Sequence, residues 1–375
     1  MMFANVWYIA EWSENVTAQP LKVKMLGREF VLYRDLEGRA VCLSNTCCHR
    51  GASLAQGKRQ DDGTLSCVFH GWRFDAQGRC TCIPSQLKPT ANIPAAAKVD
   101  SYPVQERHGL VWAFLGDRQD EAHQLFDMPE DNNPEWRRVT FSDTWKANVH
   151  WAKMVDLDQV HLHIVHGIPL NEENPSRPSE HSVEWLDNGF RTHLVSRPPP
   201  PAGSWAKMRE GRTEVNSWLT FYLPGFTLYG KVQIGMPGSS FCNVFYSMST
   251  PIDEENTKMY LIAFRNFMLE EDKDKDHLQR NLRNVYQDKP IAEAHLPKRA
   301  PDVPDFPAIK IDREDLLMQA YWKLMRELRS RGWQIDRLAL AASEQNGEVR
   351  VIPSPARRSD PQHWIYPPVP VVAEG

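Results

Sequence analysis

The sequence predicts an α+β protein: a small antiparallel β domain followed by a larger domain in which helices flank an antiparallel sheet. Three observations predict it. Between Trp7 and Leu115 the apolar residues alternate over short runs broken by turn signals, as half-buried strands require. From Asn148 to Gly167 the spacing of Trp151, Val155, Leu157 and Val160 becomes helical, and Gly167-Ile168-Pro169 ends it. Strand-like segments return from Arg191 to Phe267, ahead of a charged, helix-permissive stretch that starts at Asp272.

At 375 residues and 43.2 kDa the chain exceeds what one core usually holds, so two domains are expected. The first takes residues 1–118. A polar, acidic linker follows at 119–138, where Pro129 and Pro134 break any helix. The second domain runs over 139–342 and a Pro-rich tail over 343–375, read as extended polypeptide on the surface or on a neighbouring subunit. Within the first domain, Glu29 to Arg34 runs into the turn Asp35-Leu36-Glu37-Gly38-Arg39, a hairpin signature. The pattern repeats where Trp72-Arg73-Phe74 turns at Asp75-Ala76-Gln77-Gly78 and returns through Arg79 to Cys82. In the second domain, Phe241 to Thr250 and Lys258 to Phe267 form a hairpin around Pro251, and residues 312–332 form an amphipathic helix with Leu316, Ala320, Trp322, Leu324 and Leu328.

Charge narrows the function. A net charge of -4 with no basic stripe gives nucleic acid no footprint, and small-molecule chemistry fits better. Seven cysteines, at 42, 47, 48, 67, 80, 82 and 242, are an odd number and argue for a reducing cytosol over a disulfide framework. The first residues lack the basic start and apolar core of a signal peptide, and no run approaches bilayer length, so a soluble cytoplasmic protein is expected.

The stretch from Cys47 to His70 carries the first chemical signal. It reads Cys47-Cys48-His49-Arg50-Gly51 and then Cys67-Val68-Phe69-His70-Gly71-Trp72, with seventeen residues from Arg50 to Ser66 between the pairs. Two thiolates and two imidazoles suit either a Cys2His2 zinc or a Rieske [2Fe-2S] cluster. A zinc finger takes like ligands in pairs, whereas each loop here brings one Cys and one His. That plan suits a two-iron cluster in which one iron takes Cys47 and Cys67 and the other His49 and His70. Gly51 and Gly71 let the loop amides turn toward bridging sulfides. Cys80 and Cys82 share a strand face, but no matching His or Cys follows nearby, so they are expected to be packed or exposed strand cysteines.

The second signal is histidine density. His150, His161, His163 and His166 fall within seventeen positions. A lone helical histidine is usually a satisfied polar group, the reading for His150. Iron(II) that activates O2 is commonly held by two His and one carboxylate on one face. His161 and His166, five apart, suit a helix whose last turn unwinds, while His163 and His166 at i,i+3 suit an unbroken one. Spacing leaves both pairings open.

Together these segments resemble the Rieske non-haem iron oxygenases. Cys-x-His-Arg-Gly from Cys47, followed by Cys-x-x-His-Gly-Trp-x-Phe from Cys67 to Phe74, is similar to the family's Rieske domain. The middle residue of the first loop, often Pro there, is Cys48 here and adds a thiol beside the cluster. The family's Asp-x2-His-x4-His signature is matched by Asp158, His161 and His166. Asn148 stands at the family's frequent Asn ten positions earlier, whereas Met154-Val155 replaces a common Glu-Asn. The string from Val285 to Glu293 resembles the segment that carries the family's iron carboxylate, which makes Asp288 the third ligand and Glu293 a supporting residue.

The resemblance implies a helix-grip-like catalytic domain behind the Rieske domain. It implies a terminal oxygenase component that takes electrons from NAD(P)H through a separate reductase or ferredoxin and activates O2 at a mononuclear Fe(II). The layout looks closest to demethylases and monooxygenating hydroxylases. The aromatic sheet residues Trp218, Phe221, Tyr222, Phe226, Tyr229, Phe241 and Phe245 serve as core or as pocket lining for a flat or polycyclic apolar substrate, and Pro198 to Pro201 mark a loop near a pocket mouth. The alternatives are a cis-dihydroxylating arene dioxygenase and, in a different class, a Rieske electron carrier, against which the whole second domain argues. A homotrimer is also implied. Asp158, one helical turn before His161, would accept that ring's outer N–H and bridge to His70 or His49 of the next chain.

Overall fold

The computed structural model describes residues 1–177, 182–196, 215–233, 240–301 and 315–373. The chain divides into two compact units, Met1–His123 with Pro251–Asp253 and Leu328–Gly375, and Gln124–Thr250 with Glu254–Glu327.

The strands of the first unit are β1 (Val6–Trp12), β2 (Leu21–Met25), β3 (Arg28–Arg34), β4 (Ala40–Ser44), β5 (Lys58–Arg59), β6 (Leu65–Ser66), β7 (Arg73–Phe74), β8 (Cys80–Cys82), β9 (Ser101–Tyr102), β10 (Val104–Arg107) and β11 (Leu110–Leu115). They form antiparallel sheets in the orders β1-β11-β10, β2-β3-β4-β9 and β5-β6-β7-β8. β11 lies between two strands and every residue of it is buried, which is why its sequence is an unbroken apolar run.

The two expected hairpin turns are built alike. Asp35 Oδ1 accepts from the backbone N–H groups of Glu37 and Arg39 at 2.9 Å each, and Asp75 Oδ1 accepts from those of Gln77 and Arg79 at 3.0 and 2.9 Å. Each turn closes through a glycine in the left-handed region, Gly38 at φ 79 and Gly78 at φ 78.

The Pro-rich tail departs from expectation. It belongs to the first unit and buries Val351, Ile352, Ser354 and Val369 there. Arg357 clamps the buried Asp100 with two bonds of 2.7 Å, Ser354 Oγ donates to the same carboxylate at 2.8 Å, and Tyr102 donates its hydroxyl to the Ile352 carbonyl at 2.7 Å. Specific polar anchors, not composition, hold this segment in place.

In the second unit β12 (Arg137–Trp145), β13 (Glu184–Leu186), β14 (Gly189–Ser196), β15 (Val215–Tyr222), β16 (Thr227–Gln233), β17 (Cys242–Pro251) and β18 (Thr257–Arg265) form one antiparallel sheet ordered β12-β18-β17-β16-β15-β14-β13. The expected hairpin is β17 with β18. Residues expected to link the domains are part of this unit: Phe126 is buried and stacks on Tyr222 at 4.6 Å, and Tyr246 donates to Glu130 at 2.9 Å. Helices α1 (Val149–Leu157), α2 (His161–His166) and α3 (Asp274–Ala294) pack by this sheet, with Trp145, Ala152, Val155, Met259 and Ala292 as a shared core. α4 (Leu316–Ser330) covers the described part of the amphipathic stretch, and residues 312–314 lie outside the described residues, as does the Pro198 to Pro201 loop. No helix among the described residues is long and apolar enough to cross a membrane.

Alanine at the two turn glycines should separate backbone strain from steric clash. At Gly38 a Cβ meets nothing within 4 Å, whereas at Gly78 it would lie 2.1 Å from the Val99 carbonyl oxygen. Gly38→Ala is expected to cost about 1 kcal/mol and Gly78→Ala more than about 3 kcal/mol. Urea midpoints of the two variants check it, and equal losses would contradict it.

Candidate metal centres

The four Cys and His donors of the first unit sit on two loops with the same internal bonding. In one, the Cys47 N–H donates to the Ala52 carbonyl at 2.9 Å and the Gly51 N–H to the Cys47 carbonyl at 2.9 Å. In the other, the Cys67 N–H donates to Trp72 at 2.8 Å and the Gly71 N–H to Cys67 at 3.0 Å. Gly51 and Gly71 hold φ 74 and 67, so each loop reverses on its glycine and returns its histidine beside its cysteine.

Cys47 and Cys67 are buried in one apolar cluster, their thiols within hydrogen-bonding reach. The Cys47 thiol facing Cys67, together with burial, pushes the Cys67 thiol well up, because two thiolates side by side repel. Cys48 is buried beside them and pushes Cys47 up in turn. The His49 and His70 rings meet edge to face at 4.6 Å, and His49 stacks flat on Trp72 at 4.5 Å. His49 Nδ1 is buried with no hydrogen-bond partner among the described residues, a lone pair or proton with nothing to meet it there. Buried thiols that repel and an orphaned imidazole nitrogen fit a bound cationic centre. Among the described residues only one set of three or more His, Cys, Asp or Glu gathers its ligand atoms within 4.8 Å, and it lies elsewhere. Cys80 is buried in the same cluster, and Cys82 is half-buried at the other end of β8.

The tight set is His161, His166 and Asp288. Asn148 starts α1 by accepting from the His150 N–H at 3.0 Å and is itself held by the Glu254 carbonyl at 2.7 Å. The helix then breaks before His161, earlier than the expected unwinding after it. Asp158 is extended at φ -70, ψ 136, and its side chain takes the Val160 N–H at 2.7 Å, competing with the helical bond. The short α2 follows and ends at Gly167 in the left-handed region.

This break lets the two imidazoles face each other, with Nε2 atoms 3.2 Å apart. The buried Asp288 Oδ1 lies 3.1 Å from His166 Nε2 and 3.5 Å from His161 Nε2. Ligands about 2.1 Å from an ion and at right angles stand roughly 3.0 Å apart, so the three atoms match one face of an octahedron. Burial alone would push His166 down and Asp288 up. Facing each other reverses both shifts, raising His166 and lowering Asp288.

His166 Nδ1 pairs with Gln287 Oε1 at 3.0 Å, which leaves Nε2 free for the centre. Gln287 was not singled out from sequence, although its place beside Asp288 was the signal. His163 does not join the set, and His150 is buried against the Tyr321 hydroxyl at 2.6 Å. Asp158 does not make its expected bond: its Oδ2 is 3.9 Å from His161 Nδ1, beyond hydrogen-bond range, and its side chain is 41% exposed. Of the sheet aromatics, Phe221 and Phe226 are core while Trp218 and Phe241 are exposed. None of the seven lines the cavity at Asp288, whose aromatic wall comes from Phe141, Trp145 and Tyr260.

Comparison with known proteins matches two family models to the chain. Residues 6–103 match the Rieske [2Fe-2S] domain, and residues 147–328 match the vanillate O-demethylase oxygenase C-terminal domain. The chain is 28% identical to the toluene-4-sulfonate monooxygenase system iron-sulfur subunit TsaM1 of Comamonas testosteroni, over 88% of this chain and 98% of that one. It is 27% identical to methylxanthine N1-demethylase NdmA of Pseudomonas putida, over 86% and 87%. The solved structure of Pseudomonas putida CBB5 NdmA with caffeine superposes with a TM-score of 0.71 at 26% identity, covering 86% of this chain and 90% of that one. The chain belongs to the Rieske oxygenases, oxidoreductases that pair a [2Fe-2S] domain with a mononuclear iron in the catalytic domain and draw their electrons from a reductase.

Proposed function

We propose that the protein is a terminal oxygenase that hydroxylates or oxidatively demethylates an aromatic or polycyclic apolar substrate. The observation that carries this reading is the buried Asp288 oxygen, set 3.1 and 3.5 Å from two imidazole nitrogens. Three protein donors on one face leave room for O2 beside the substrate, as non-haem iron chemistry requires. In this reading residues 1–118 receive electrons and 139–342 use them. Cys47, His49, Cys67 and His70 hold the cluster, and His161, His166 and Asp288 hold Fe(II). When bound, the cluster delivers single electrons drawn from NAD(P)H through a reductase or ferredoxin, and the mononuclear iron activates O2. The chain's own residues orient and shield. Gln287 fixes the His166 tautomer, Trp72 holds the His49 ring flat, and burial in the apolar cluster excludes water from the thiolates.

A ring of three chains extends the proposal. Asp158 has an exposed carboxylate that hydrogen-bonds no imidazole among the described residues, and we infer that it bridges to His70 or His49 of the next chain. His70 is exposed and flanked by Val68 and Phe69, 56% and 59% exposed, which supports a face that a neighbour covers. Seven free cysteines support a reducing cytosol.

Two sets of variants test these assignments. Cys67→Ser should abolish the Rieske spectrum while the protein still takes up mononuclear iron, and an intact spectrum would refute the ligand set. His161→Ala, His166→Ala and Asp288→Ala should each lower iron from about three to about two per chain with the cluster spectrum unchanged, whereas His163→Ala should keep it all. Loss of iron in His163→Ala but not in His161→Ala would show the other histidine pairing.

Asp158→Asn should keep both centres and the trimer but lose turnover by about 10–100-fold, because an amide cannot carry the same charge. Sedimentation mass and single-turnover cluster oxidation check this, and a wild-type oxidation rate would remove the bridge.

A further inference from the structure

A small cavity in the second unit touches Asp288 and has features that metal binding does not use. Its wall includes Phe141, Trp145, Asp156, Ser247 and Tyr260. Asp156 is unusual. Its Oδ2 takes the ammonium of the fully buried Lys153 at 2.6 Å and the Ser247 hydroxyl at 2.9 Å, while Lys153 also donates to the Ser247 carbonyl at 3.2 Å. A buried ion pair often adds no more stability than an apolar pair of the same volume, but it does fix a charged group at one place. Here it fixes a carboxylate whose other oxygen, Oδ1, accepts no bond among the described residues.

The opposite requirement stands in the same wall. Trp145 is 1% exposed, and its indole N–H is buried with no acceptor among the described residues. An unpaired buried donor costs about 1–3 kcal/mol, and a group that accepts from it recovers that cost. One fixed acceptor and one unmet donor together ask for a single group that both donates and accepts. The space, about 30 Å³, admits one or two waters or the polar end of a larger molecule, not a whole ring.

We propose that this cavity recognises the neutral polar end of the substrate, a hydroxyl or ring N–H that accepts from Trp145 Nε1 and donates to Asp156. This rests on the oxygenase reading for its purpose, since a group held beside Asp288 sets which carbon faces the iron. An anionic end is excluded by Asp156 at close range. Trp145 and Asp156 are thus specificity-determining residues, and the substrate class is a hydroxylated or N–H-bearing arene.

Calorimetric titration of the purified holoenzyme with phenol, anisole and benzoate tests it. Phenol is expected to bind at least about tenfold more tightly than anisole, which cannot donate, and than benzoate, which is charged. Trp145→Phe removes the donor together with part of a buried ring, so it should lower the melting temperature through lost packing, and it should weaken phenol about tenfold while leaving anisole binding less affected. Asp156→Asn should abolish the preference for phenol over anisole; if it fails to fold beside Lys153, Trp145→Phe alone decides. Equal affinities for phenol and anisole, wild-type phenol binding in Trp145→Phe, or no saturable phenol binding up to about 10 mM would overturn the inference. Iron content and the cluster spectrum of the same sample keep the two readings apart. Missing metal counts against the proposed function, while intact metal without a phenol preference counts against this cavity.

Discussion

Convergence of His161, His166 and Asp288 is the constraint on which the second unit depends. Three ligand atoms held 3.1 to 3.5 Å apart, in a site mostly closed to water, are an arrangement that loose side chains would abandon. Rigid elements hold them instead. The Asn148 cap starts α1 at a defined residue, Asp158 ends it by taking the Val160 amide, and α3 brings Asp288 against the same side through a core of Trp145, Ala152, Val155 and Ala292. Gln287 then turns the His166 ring so that the correct nitrogen faces inward.

The first unit solves a similar problem with backbone instead of helices. Two loops with the same pair of hydrogen bonds and the same left-handed glycine present one thiol and one imidazole each. Their bases are tied into short strands whose hairpins are closed by matching aspartate turns. The tail adds a brace: Tyr366 donates its hydroxyl to the Cys47 carbonyl at 3.1 Å, and Arg357 pins the segment through Asp100. A loop fixed on several sides suits electron transfer, because little has to move when charge arrives.

Much of this was legible in the sequence, for reasons that differ by element. The Asp-x-x-Gly-Arg turns are local chemistry and could be read directly, as could the β17–β18 hairpin from its alternation. The α1–α2 break was misplaced because periodicity runs through it; only the competition of the Asp158 side chain for a backbone amide stops the helix. The tail was read as extended polypeptide on the surface or on a neighbouring subunit because proline content says nothing of a distant Asp100. Of the site, His161 and His166 were visible as a pair only beside the rival His163, since spacing along a helix cannot tell which ring swings inward. Asp288 was invisible without the family resemblance, a carboxylate on a highly charged helix. The Lys153–Asp156–Ser247 group was missed altogether: Lys153 and Asp156 pair one turn apart on α1, but Ser247 joins them only when β17 packs on that helix.

The central claim is that the chain holds iron in two chemically different places. Anomalous difference maps collected on either side of the iron absorption edge, from crystals of the protein as purified, test it most directly. Iron signal is predicted both between the Cys47 and Cys67 loops and within the triangle of His161, His166 and Asp288. A zinc-edge signal at the loops, or no iron in that triangle while the loops are filled, would contradict it.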